Sequence, residues 1–127
     1  MGDLLEVGAA WLHAQRTRHL ATTVQYARGG WCVDLPATLG RTVMEVDDSS
    51  GAWQRHESRD FLLRLADCVV DGVPFVPQRG DRIVHTHSGQ RHTFEVMAPG
   101  DAAPWRYSDP FGISYRVHTK HIRTEDI

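Results

Sequence analysis

Histidine gives this sequence most of its chemical capacity, with eight imidazoles in 127 residues. Neutral imidazole is the commonest metal ligand, and its charge changes near physiological pH. His85-Thr86-His87 lies in a run with strand alternation, which puts both rings on one face about 7 Å apart, within reach of one metal ion. His92 falls in the run that would pair with it, and Glu95 follows. An odd spacing separates His92 from Glu95, so a regular strand sends them to opposite faces. The same argument separates His118 from His121, and His13 and His19 share no helix face. The spacing therefore favours solvent-facing histidines on an edge strand or exposed hairpin.

Nucleophilic catalysis finds little support. The sequence lacks Gly-x-Ser-x-Gly, a P-loop and a dinucleotide glycine pattern. Ser58, His56 and Asp60 have the residue types of a triad, but neighbours on one strand face cannot converge on a substrate as a triad must. Glu57, Asp60 and Asp67 could supply paired carboxylates, yet no aromatic cleft pattern accompanies them. Aromatic residues are more informative. Trp53 ends a polar loop, and Trp105, Tyr107 and Phe111 cluster around a proline-containing turn with Arg106 and Asp109 between them. With Trp11 near the start, these are types that anchor protein interfaces. The competing reading turns Trp105 and Tyr107 into the core.

The elements that must position these residues change period along the chain. Asp3 and Glu6 have capping-box spacing, and Leu4, Leu5, Val7, Gly8, Trp11 and Leu12 recur at helical intervals, which predicts an α-helix over 4–19. Its apolar stripe must dock on the rest of the chain or on a partner. From Thr22 onward the period is two: runs at Thr22–Tyr26, Trp31–Leu35, Thr42–Val46, Trp53–Leu65, Arg82–His87, Arg91–Met97, Trp105–Ser108 and Ile113–His121 are separated by turn residues. Pro36 and Gly40 read as punctuation between the second and third runs, and Thr124–Ile127 as a frayed tail. The expected fold is mainly β with an N-terminal α-helix: a small antiparallel β-barrel or sandwich of six to eight short strands, in one domain over 1–127 (helix 4–19, barrel-like body 22–121, tail 122–127). Cys32 and Cys68, beside apolar neighbours, read as core residues. The formal net charge of -2 argues against a basic nucleic-acid-binding face, and no apolar stretch is long enough to predict a membrane span or a secretory signal.

Arg59-Asp60-Phe61-Leu62, then Ala66-Asp67, Gly72-Val73-Pro74-Phe75-Val76-Pro77-Gln78-Arg79-Gly80-Asp81-Arg82-Ile83, Thr93-Phe94-Glu95-Val96, Trp105-Arg106-Tyr107-Ser108-Asp109 and His118-Thr119-Lys120 follow in that order. This series resembles the small tailed-phage neck proteins called head–tail joining, head-completion or stopper proteins, in which a P-x-x-G-D-x-I entry precedes a hairpin. The resemblance covers roughly 22–121. It implies a barrel-like fold, a homo-oligomeric ring under the portal and its adaptor, closure of the filled capsid and docking of the tail. It further implies that the loops Asp47–Trp53 and Asp71–Arg79 contact neighbouring subunits or face the channel, through which packaged DNA passes without sequence-specific binding. Such a protein would sit in the virion neck after assembly in the host cytoplasm, with no cofactor, no catalytic residues and no membrane partner. The N-terminal helix departs from a minimal stopper.

Two other readings compete with this one. A small cupin-like metal-dependent barrel enzyme would use His85, His87 and His92, although the spacing from His87 to Glu95 is longer than the cupin pattern uses and the later histidine half is missing. A generic protein-binding adaptor would remain a monomer. Ring assembly, stoichiometric metal and a lasting monomer are the respective signatures.

Overall fold

A computed structural model describes residues 22–47, 51, 53–99 and 102–127. The helix expected over 4–19, with Trp11 in it, lies outside the described residues. The strands are β1 (Thr22–Arg28), β2 (Trp31–Asp47), β3 (Trp53–Arg64), β4 (Val69–Val70), β5 (Val73–Pro74), β6 (Arg82–His87), β7 (Gln90–Val96), β8 (Trp105–Tyr107) and β9 (Ser114–Asp126). Among the described residues no helix is long and apolar enough to cross a membrane.

Strands β1, β2, β3, β9, β7 and β6 pair in that order, and β6 returns to β1, so six antiparallel strands close a barrel. The barrel rather than the sandwich is therefore the architecture, and closure removes the exposed edges an open sheet would carry. Closure depends on three long strands that change partners. β2 pairs with β1 through Ala37 and with β3 from Thr38. β3 passes from β2 to β9, and β9 in turn serves β3, β7 and the short β8. Pro36 and Gly40 consequently do not break the chain: both lie within β2, at the stretch where it turns from one partner to the next. Gly40 has a local reason, since an added Cβ would stand 3.3 Å from the Arg116 guanidinium.

Period-two alternation fills the interior with Val24, Tyr26, Leu35, Ala37, Phe61, Leu63, Ile83 and Val117, all essentially buried. Each such side chain contributes about 2 kcal/mol by leaving water. Cys68 joins this core, where burial and the neighbouring Asp67 carboxylate push its thiol up to about 12. Cys32, expected there too, is exposed because it has the outward parity on β2. Asp71-Gly72 and Ser88-Gly89 link β4 to β5 and β6 to β7 with both residues at positive φ, the two-residue turn that matches strand twist. The expected tail does not fray: β9 continues to Asp126 opposite Gln90, and Ile127 N donates to Gly89 O at 3.1 Å.

One barrel end is plugged. Phe75 packs 4.9 Å from Tyr26 and 5.1 Å from Trp31, centroid to centroid, with the Arg28 guanidinium over both Trp31 and Phe75. Asp81 latches this plug. It accepts from Arg28 Nε and Nη2 and from Gln78 N, each at 2.8 Å, and from the Tyr26 hydroxyl. The Gly-Asp of the P-x-x-G-D-x-I segment is therefore a brace that ties the β5–β6 connection to β1.

Candidate functional site

The opposite end is open, and the histidines gather there. On β6, His85 and His87 keep the inward parity of Ile83. His92 stands across from His85 on β7, and Phe94 across from Ile83. On β9 the residue opposite Phe94 is His121, while the one opposite Thr93 is Arg123; Ile122 is the extra residue of a bulge. That bulge brings His121 and Thr124 to the same side although their spacing is odd. The result is a cavity of about 450 Å³ lined by Arg59, the four imidazoles and Thr124, with Leu39 and Phe94 as its apolar part.

The rings form a row rather than a cluster. Centroids are 5.8 Å apart for His87 and His85, 6.5 Å for His85 and His92, and 6.0 Å for His92 and His121. Thr124 Oγ1 lies 2.9 Å from His92 Nδ1 and 2.8 Å from His121 Nε2, so this hydroxyl bridges the two rings. Thr22 Oγ1 stands 3.3 Å from His85 Nε2. Partial burial, followed by the charges of His87 and His92, lowers the His85 pKa from its ordinary value. His85 and His87 are nearly parallel, at 21°, a stacking that turns their nitrogens away from a common point. Among the described residues no three His, Cys, Asp or Glu side chains are arranged to hold a metal ion. The geometry thus gives the cupin-like reading no ligand set; of the histidines expected to face solvent, His87 and His121 are exposed and His85 and His92 partly buried, and closure gathers all four at the barrel mouth. Arg59 was legible as part of this site through its parity with Phe61 and Leu63, and His121 through its parity with Val117, whereas Thr124 depends on the bulge, which no spacing in the sequence announces.

A second polar cluster lies on the outer face of β2, β3 and β9. Asp60 accepts from Ser58 Oγ at 2.6 Å, from Arg116 Nη1 at 2.8 Å and from the Thr42 hydroxyl, and its Oδ1 is 3.1 Å from His118 Nδ1. Burial alone would raise the Asp60 pKa, but the bonds from His118, Ser58, Thr42 and Arg116 outweigh it and hold the carboxyl well below the usual range. Serine, aspartate and histidine do meet here, yet not as a triad: Ser58 and Asp60 both face Nδ1 of His118, so no second ring nitrogen activates the hydroxyl. The chemistry available is that of an ion pair bracing three strands.

The aromatic residues divide between core and surface. Trp105 packs edge-on against Tyr115 at 4.7 Å and belongs to the core margin, while Tyr107 is 52% exposed beside the exposed Arg106. Phe111 is half-buried in a turn whose backbone N–H groups at Phe111, Ile113 and Ser114 all donate to Asp109. Trp53 opens β3 opposite Asp47, at the far end of the β2–β3 ladder. From Thr42↔Ser58 out to Asp47↔Trp53 that ladder has no third strand among the described residues, so it projects beyond the barrel as a two-stranded ribbon.

Closed barrel, latched plug and projecting ribbon define a small antiparallel β-barrel protein whose buried charges brace loops. Residues 2–126 match the family described as phage head-tail joining protein, and the chain belongs to that family. The match spans nearly the whole sequence, including the segments whose order resembled neck proteins, and it makes the chain a bacteriophage structural protein of the head–tail junction and a component of the virion. No curated protein matches the chain.

Proposed function

We propose that this protein is a non-catalytic neck component: its copies assemble into a ring that joins the portal and its adaptor to the tail and helps retain packaged DNA. The observation that carries this reading, given the family, is the ribbon. An isolated two-stranded hairpin is marginal in water at best, and its unpaired edges invite another chain. A neighbouring subunit supplies that cover in a ring. The ribbon leaves the open end of the barrel, whereas Trp105, Arg106, Tyr107 and Phe111 lie toward the plugged end on and beside β8. β5 and the β5–β6 connection add Val73, 65% exposed, and the exposed Val76 to that end. Separate surfaces at the two ends suit a part that meets the head on one side and the tail on the other. DNA would pass along the ring's channel without sequence-specific contacts, which suits a chain whose formal net charge is only -2.

A phage carrying a deletion of this gene tests the proposal. Electron microscopy of the lysate should show heads without tails that lose DNA, restored by the wild-type protein. Infectious tailed particles from the deletion would refute it. Mass photometry of the purified chain should show a defined ring at high concentration, whereas a monomer at every concentration would favour the generic adaptor.

A further inference from the structure

We propose that the histidine-lined mouth is a pH-gated oxyanion site that takes a phosphate group when its imidazoles are protonated. Five groups able to carry positive charge face this cavity: His85 and His87 from β6, His92 from β7, His121 from β9 and Arg59 from β3. From β1 and β2 the lining is Thr22, Thr38 and Leu39, and Arg41, opposite Arg59 in the β2–β3 register, follows Leu39 on the same face. No carboxylate lines the cavity among the described residues. Among the described side chains the nearby acidic groups are engaged elsewhere: Glu95 with Lys120 at 3.7 Å and Arg82 at 3.8 Å, Glu125 with Arg123 at 3.0 Å, Asp126 with Gln90 at 3.3 Å and Asp60 in its outer network.

Each imidazole that takes a proton places a positive charge beside its neighbours, at ring separations near 6 Å, and no carboxylate among the described side chains lines the cavity to offset it. A phosphate oxyanion relieves that repulsion and is matched by ring N–H groups and the guanidinium. Stacked rings fit this role where they fail as metal ligands, since hydrogen-bond donors can address different oxygens of one anion. The inference is independent of the neck role.

The test uses the full chain. Titration of the ring resonances by NMR, in phosphate and in chloride at equal ionic strength, should show the pKa of His85 and His92 raised by at least 0.5 unit in phosphate, since an anion that prefers the protonated form must raise it. Calorimetric phosphate affinity should be at least tenfold higher at pH 5.5 than at 7.5, and His85→Gln with His92→Gln should remove that gain while the melting temperature at pH 7.5 is retained. Equal affinity at both pH values, or ring pKa values indifferent to phosphate, would overturn the proposal without reference to any variant. So would stoichiometric zinc binding at pH 7.5 that His92→Gln abolishes. A short DNA duplex that displaces inorganic phosphate assigns the group to a nucleic-acid backbone, and failure to displace it assigns the free ion; either supports the site.

Discussion

Asp60 and Asp81 are both buried and both serve as hubs, each accepting bonds from an arginine and at least one hydroxyl donated by a different strand. Removing one partner of a buried pair leaves the other charge uncompensated, which costs about 3 kcal/mol or more. Asp60→Asn should therefore lower the unfolding free energy by about that amount at pH 7, measured by guanidinium denaturation, with Arg116 and His118 left facing a neutral amide. Because the folded-state pKa of Asp60 is depressed, its stabilisation is full above the unfolded value near 4 and is lost as pH falls through the folded one. The wild type should thus lose stability below about pH 4, and Asp60→Asn should lose less over that interval. His85 acts in a separate window. Its pKa is lowered in the fold, so stability should decline as pH drops below about 6.5, and His85→Gln should flatten that limb of the melting-temperature profile.

At the scale of elements, the β5–β6 connection and the β2–β3 ribbon test opposite ideas. Phe75 plugs the barrel and Asp81 latches the connection behind it. Phe75→Ala should cost about 3–5 kcal/mol and speed proteolysis near Val76, read by denaturation and by limited digestion. Burial and the adjacent Asp81 carboxylate push the Tyr26 hydroxyl well above its ordinary pKa, so it stays a donor to the latch at any working pH. The ribbon, in contrast, beyond the Thr42 and Ser58 hydroxyls at its base that donate to Asp60, pairs with no third strand among the described residues. Replacing residues 46–54 by Asn-Gly should keep the melting temperature within a few degrees and abolish ring formation in mass photometry. A shortened chain that still forms the ring would move the subunit contact to another surface. Strand identities were readable at this scale from alternation and from the turn pairs at Gly29-Gly30 and Ser88-Gly89, but the short β4–β5 pair around Asp71-Gly72 was not, its two-residue strands being too short to alternate. The continuity of β2 through Pro36 and Gly40 was not, because those residues mark a change of partner as readily as an end of strand.

For the whole molecule, closure is the decisive event. The sequence by itself determined a β protein with inward Val24, Tyr26, Phe61 and Ile83, and the ordered segments around Gly80-Asp81 resembled the family to which the chain belongs. Local periodicity suffices for that, since each strand needs only an apolar face and each turn only its permitted φ. Tertiary structure alone decided what the histidines do. Parity says that His85 and His87 share a side, but which side, and which rings from other strands meet them there, follows from closure between β3 and β9 and from the register of β7 on β9. Both are long-range choices of register, made by packing between segments more than 20 residues apart, and a one-residue change would send the same imidazoles outward.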